Sequence, residues 1–310
     1  MTLIFPAVLA FIFGITIGSF LNVVIYRVPQ GMSLSAPPSH CTNCKRRLTP
    51  LDLVPLFSYI FLGGKCRTCK VKISPRYFII EFITGLIFAG LVYSTNALFP
   101  GFGLDSATAT YFILHATFLS CLLVIFMIDL DTFLVFLPIC LIALGAGIIA
   151  ELIRVNALII PFDFSIGGFH MPAFIPGAIV GFFIFIGMDA LGRLIFKKPS
   201  MGMGDAFIGM AIGGFLGIYP ALLSFMFAIV LGGIIGGILY ACGGIKKRKA
   251  PKDEDEKEKK DDDDEPEGIY MPFGPFLALA AAIISFNPPY FMNLWATFWN
   301  WWMYSNPFLG

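Results

Sequence analysis

Met201-Gly202-Met203-Gly204-Asp205 stands between Lys197-Lys198 and an apolar run that begins at Ala206. An aspartate at the lip of a hydrocarbon-length segment is costly to desolvate and is rarely kept without a use. The two glycines leave the backbone uncrowded, so another stretch of chain can approach closely. Further back, Ile128-Asp129-Leu130-Asp131 closes a second long apolar run. These two acidic places are expected to meet in space and form a two-carboxylate active site. The runs that carry them belong to an all-α polytopic membrane protein.

Composition supports that class. The chain has 310 residues, 57% hydrophobic and 13% charged, with a mean hydropathy of +0.83. That is too apolar for a soluble globular protein. Net charge is +1 and says nothing about nucleic acid. Eight spans are predicted near 3–26, 77–95, 108–128, 133–153, 173–192, 206–219, 221–242 and 270–286. With eight spans, the basic segments 27–76, 193–205 and 243–269 all fall on one side, and only Arg154 falls on the other. The positive-inside rule makes the basic side cytoplasmic and puts both termini outside. The first run lacks a basic start and a small-residue cleavage site, so it reads as a span.

Five regions follow: a first transmembrane helix (1–26), a cytoplasmic four-cysteine domain (27–76) and a transmembrane core carrying the aspartates (77–245). A charged, disordered linker (246–268) precedes a last helix with an aromatic tail (269–310). In that tail Trp295, Trp299, Trp301, Trp302 and Tyr304 are expected to anchor at the outer interface.

Cys41-Thr42-Asn43-Cys44 and Cys66-Arg67-Thr68-Cys69 are two CxxC pairs. Two such knuckles supply four thiolates at the spacing of a small zinc ribbon. A reducing cytoplasm disfavours disulfides there, and the neighbouring Lys45, Arg46, Lys65, Arg67 and Lys70 favour thiolates. A closed four-thiolate zinc is structural, so it is expected to fold the loop, with a redox pair or free thiols as the lesser readings. Cys121, Cys140 and Cys242 read as packing residues.

Several polar residues have simpler readings. Gly14 and Gly18 have the spacing for close helix packing. Asn22 reads equally as an interhelical hydrogen bond or a site residue. Glu81, about a turn inside the second span, is expected to pair with a cytoplasmic-side Arg or to serve the substrate path. His115 reads as packing, and Asp189 with Arg193 as an i,i+4 pair. Asp131 reads as a cap for the next span, and Asp129 as chemistry. Glycines in spans six and seven would pack helices tightly and leave room for a substrate helix. The sequence contains no P-loop, GxSxG or HExxH, so hydrolysis would have to rest on the carboxylates.

Taken in order, these stretches resemble one family. They are Gly18-Ser19-Phe20-Leu21-Asn22 with Tyr26-Arg27, the four-cysteine loop, Ser74-Pro75-Arg76-Tyr77 with Glu81, Ile128 to Thr132, Met201 to Asp205, and Pro272-Phe273-Gly274-Pro275. The set resembles the type IV prepilin leader peptidases, membrane aspartyl proteases with a GxGD motif. The resemblance implies eight spans, a cytoplasmic active site in the bacterial inner membrane, and Asp129 and Asp205 as catalytic aspartates. It also implies a prepilin or pseudopilin substrate of pili or type II secretion, and methylation of the new amino terminus with S-adenosylmethionine. The chain departs from the family at Pro138-Ile139, where a Pro-Asp is usual, and counting back from Pro138 would select Asp131. It departs again at Phe207, where a Lys is frequent. The rival readings are a transporter or channel with a zinc-stabilised cytoplasmic knob, and a scaffold in which both aspartates are caps.

Overall fold

Apolar stretches that cannot hydrogen-bond to water must satisfy every backbone N–H and C=O within themselves, and helices do so. The computed structural model describes residues 3–98, 106–156, 163–166, 169–196, 202–241, 272–286, 290, 291, 293, 294 and 297. Its helices are α1 (Ile4–Arg27), α2 (Phe57–Phe61), α3 (Arg76–Leu98), α4 (Ser106–Thr132), α5 (Leu137–Asn156), α6 (Phe174–Phe196), α7 (Met203–Leu216), α8 (Ile218–Ala241) and α9 (Gly274–Phe286). Each expected span has a helix within a few residues of its predicted position. Five of them, α1, α3, α4, α6 and α8, are long and apolar enough to cross a membrane, and α5, α7 and α9 are shorter apolar helices. At 1.5 Å per residue α7 and α9 reach only about 20 Å.

The all-α expectation needs one amendment. β1 (Asp163–Ile166) pairs antiparallel with β2 (Phe169–Pro172), Asp163 opposite Pro172, between α5 and α6. Lys197-Lys198, Met201, Cys242, the 246–268 linker and the tail residues Trp295, Trp299, Trp301, Trp302 and Tyr304 lie outside the described residues, as does the side chain of Arg154.

Small residues set the packing. α1 and α3 run antiparallel: a Cβ on Gly14 would stand 2.9 Å from Gly85 Cα, and one on Gly18 would stand 2.8 Å from Glu81 Cα. The α1 glycines thus act as predicted. On α6 and α7, Gly177 faces Gly213 and Gly181 faces Gly209 with backbone against backbone. Gly214 of α7 is filled from the other side by Leu144 of α5. The α7 glycines are therefore consumed by packing and leave no room for a further helix. On α8, by contrast, Gly233 and Gly237 face open space. The expectation of a roomy glycine surface survives there alone. At the centre, Phe118, Ile128, Ile208, Ile212, Leu277 and Ile284 are closed off from solvent.

The four-cysteine domain hangs from the α1–α3 pair. Buried Arg27 donates to the carbonyls of Ser33, Leu34 and Pro37, which folds the first stretch back on the helix end. Asn22 Nδ2 donates to the Tyr77 carbonyl at 3.1 Å, so its interhelical reading holds. Glu81 corrects its expectation: its Oε2 accepts the Leu56 N–H at 2.8 Å, and Ser19 also hydrogen-bonds to it. Leu56 itself has φ +60°, and the Phe57 N–H returns to the Pro55 carbonyl at 2.6 Å. That tight γ-turn is strained for a residue with a side chain, by roughly 1–3 kcal/mol.

Candidate active site

Three helix ends converge: the C-terminal end of α4 and the N-terminal ends of α7 and α9. Asp129 lies in the last turn of α4 and is 5% exposed. The Phe133 N–H closes that turn on the Asp129 carbonyl at 2.9 Å, with Phe133 in the left-handed region at φ +59°. The chain then runs through Val135 before α5.

Asp205 lies in the first turn of α7, whose N-cap is Gly202 in extended conformation. A carboxylate in that turn is favoured by the helix dipole. Gly204 is the glycine that matters sterically: a Cβ there would stand 2.7 Å from Val135 Cβ. Its bare backbone lets the segment after α4 lie against α7. Gly202 meets nothing closer than 3.9 Å, so the expected close approach of another stretch does not occur at that glycine. The result is that Asp129 and Asp205 lie near enough to one another for each charge to act on the other.

The third end comes from α9. The Gly274 N–H is hydrogen-bonded to the Asp129 carboxylate. Gly274 packs so closely on that carboxylate that a side chain would collide with it and crowd the tip of Ile208. No sequence argument assigned Gly274 a role, although a glycine between two prolines at a helix start is a signal for close backbone approach.

Asp131 does not cap α5, as had been expected. It lies within α4 and its Oδ2 pairs with Arg76 Nη2 of α3 at 2.6 Å, with both groups partly exposed. The same Arg76 Nη2 donates to the Met127 carbonyl at 3.4 Å. Asp189 and Arg193 form the expected i,i+4 pair at 2.7 Å. His115, 1% exposed, packs among Tyr111, Phe215 and Phe286.

A second constellation lies in the cysteine domain. The two CxxC stretches fold alike: Lys45 and Lys70, each just past the second cysteine, have φ +57° and +58°. His40 bridges to Arg47 as Lys65 bridges to Lys72. The four sulfurs lie within 4.8 Å of one another, Cys41 to Cys69 at 3.8 Å and Cys44 to Cys66 at 4.0 Å. Tetrahedral zinc with bonds of about 2.3 Å separates its sulfurs by about 3.8 Å, so the donor set fits that ion. The Val71 N–H and the Asn43 side chain bring the Cys69 thiol down to about 6, against the opposing effect of burial. The N–H groups of Cys44 and Asn43 lower Cys41.

A feature absent from the sequence reading ties the knuckles together without metal. Asp52 is 3% exposed; it pairs with Arg46 of the first knuckle and, at 2.7 Å, with Arg67 of the second. Burial acts against its charge. The hydrogen bonds from Arg67 and Thr49 and the charge of Arg46 outweigh that and hold its carboxyl at about 2.

Comparison with known proteins bears directly on these two constellations. Residues 12–95 match the model of the bacterial peptidase A24 N-terminal domain, and residues 116–237 match that of the type IV leader peptidase family. The chain is 30% identical to the type 4 prepilin-like proteins leader peptide-processing enzyme of Escherichia coli, over 68% of this chain and 77% of that one. It belongs to the type IV leader peptidase family. A prepilin leader peptidase/N-methyltransferase of Myxococcus xanthus is 34% identical over 80% of this chain and 66% of its own length. One from Aeromonas hydrophila is 28% identical over 89% of this chain and 88% of its own. No solved structure matches the chain. The two family segments divide where the site does: the leader peptidase segment carries Asp129 and Asp205, and the N-terminal segment carries the four cysteines and Glu81.

Proposed function

We propose that this membrane protein is an aspartyl endopeptidase that removes the leader from type IV prepilins or pseudopilins. Asp129 and Asp205 form the catalytic pair. It then methylates the new amino terminus with S-adenosylmethionine as donor, a step to which we assign no residues. The observation that carries the reading is the meeting of the two carboxylates where α4, α7 and α9 end together.

Two neighbouring carboxylates do not both ionise readily, so one keeps its proton while the other is charged. The ionised one takes a proton from a bound water, whose oxygen attacks the scissile carbonyl carbon. The protonated one gives its proton to the departing amine as the C–N bond breaks. The Gly274 N–H would orient the Asp129 carboxylate. All eight apolar helices cross the inner membrane in this reading. The pair faces the cytoplasm, because Arg27, Arg76 and the basic cysteine domain gather at the same helix ends. The substrate's apolar helix would run along α8, whose Gly233 and Gly237 are open. Cys41, Cys44, Cys66 and Cys69 would hold a zinc ion, which supplies a rigid fold to the domain.

The test is cleavage of a membrane-borne prepilin by the purified protein in proteoliposomes, with and without S-adenosylmethionine and with mass analysis of the product. Asp129→Asn and Asp205→Asn should each abolish cleavage and leave the zinc content unchanged. Cleavage retained by Asp129→Asn but lost in Asp131→Asn would move the first role to Asp131. A transporter would leave the prepilin intact.

A further inference from the structure

The short helix α2 and the turn before it present an unusually apolar face outside the membrane-spanning helices. Leu53, Val54, Phe57, Ile60 and Phe61 are all exposed, Phe61 at 83%. Phe57 and Phe61 stack at 6.4 Å on that face. A cytoplasmic domain that left such a patch in water would carry an aggregation liability.

Where α2 sits says what covers the patch. The Leu56 N–H is bonded to Glu81 of α3. The Tyr59 ring lies 5.5 Å from that of Phe78. Both anchors lie on the first two turns of α3, beyond Arg76 and inside the apolar stretch. α2 is thereby held alongside the membrane-embedded part of α3, on which Tyr77, Ile79, Phe82 and Ile83 are themselves exposed. α2 and α3 thus both present exposed apolar side chains in the region where Glu81 and Phe78 hold them together.

Charge points the same way. Segment 27–76 carries nine basic residues and one acidic, Asp52, which is spent internally on Arg46 and Arg67. Lys45, Arg47, Lys65, Lys70 and Lys72 are exposed. An apolar, aromatic element in a segment of strong positive charge is the pattern of a chain lying in the headgroup layer of an anionic leaflet.

We propose that α2 and its preceding turn are inserted edge-on into the cytoplasmic leaflet, so that lipid covers Phe57, Ile60 and Phe61. The cysteine domain then rests on the membrane surface and does not project into the cytoplasm. The strained turn at Leu56, tied to Glu81, sets the depth of insertion.

The experiment uses the full chain in nanodiscs of phosphatidylcholine and phosphatidylglycerol. Its four native tryptophans, Trp295, Trp299, Trp301 and Trp302, are replaced by phenylalanine, and a single reporter is introduced as Phe61→Trp. Phe82→Trp on α3 is the reference for a lipid-facing position. Brominated acyl chains should quench Phe61→Trp at least half as strongly as Phe82→Trp, while aqueous acrylamide quenches it weakly. Strong acrylamide quenching with no bromine effect at Phe61→Trp, alongside normal bromine quenching at Phe82→Trp, overturns the proposal. Protection that arises only when prepilin is added also overturns it and gives the face to the substrate. Failure of both reporters to sense brominated lipid would instead count against α3 as a span.

Discussion

The backbone N–H of Gly274 donates to the Asp129 carboxylate, joining the start of α9 to the end of α4. That bond brings a third helix to a site that the two aspartates alone would not define. Helix starts present free N–H groups, and a carboxylate is their natural partner. A side chain at 274 would collide with the Asp129 carboxylate and crowd the tip of Ile208. Gly274→Ala is therefore expected to displace Asp129 and cut the cleavage rate by about 10²-fold, as small misplacements of reacting groups do. Cleavage assays on membrane-borne prepilin, with helicity checked by circular dichroism, would measure it.

The two glycines of the GxGD stretch should behave differently. Gly204→Ala pushes against Val135, which links α4 to α5, and is expected to lower both activity and thermal stability. Overpacking of this kind costs roughly 1–3 kcal/mol. Gly202→Ala meets only the Gly204 nitrogen, at an ordinary contact of 3.9 Å and a negative φ, so its stability should stay near that of the parent. Melting curves in detergent would compare the two.

Asp131 and Arg76 form an ion pair whose two ends are 41% and 36% exposed. Pairs of that kind are worth about 0–1 kcal/mol. Asp131→Asn should retain most of the cleavage activity and lose little stability, whereas Asp129→Asn should be inactive. Single-turnover cleavage by the two variants measures the difference.

Asp52 holds both knuckles, so its removal should loosen the metal. Asp52→Asn is expected to keep four zinc-competent thiols but to release the ion faster to a chelator. The pH dependence follows from its lowered carboxyl. Its stabilisation is present above the unfolded value near 3.8 and is lost as pH falls toward about 2. The thiols protonate first. With Cys69 lowered to about 6 and Cys44 raised to about 11 in the free domain, protons compete for the sulfurs across this range, and zinc retention should weaken steadily as pH falls. Metal content measured after dialysis across pH 7 to 3 would show it.

The apolar helices and the four cysteines were legible because their signals are local. Hydropathy needs only a run of apolar residues, and a knuckle needs only two cysteines at a fixed spacing. The order of GxGD, cysteine and amino-terminal stretches was also enough to recognise the family. Other assignments depended on which helix lies beside which. Glu81 looked like a partner for arginine, yet it accepts a backbone N–H from Leu56, 25 residues earlier. Asp131 looked like a cap and is an ion-pair partner of Arg76. The glycines of α7 looked like room for substrate and are filled by α5 and α6.

By itself the sequence determined that this chain is built of apolar helices, that it carries four cysteines at metal-ligand spacing, and that two aspartates lie at helix ends. Only the tertiary structure decided that those ends coincide, that Gly274 completes them, and that α2 lies along α3. The physical reason is range. Helix formation and metal-ligand spacing are set within a few residues, whereas the pairing of Asp129 with Asp205 depends on bare backbone at Gly204 and Gly274. Their usefulness exists only once distant helices have packed.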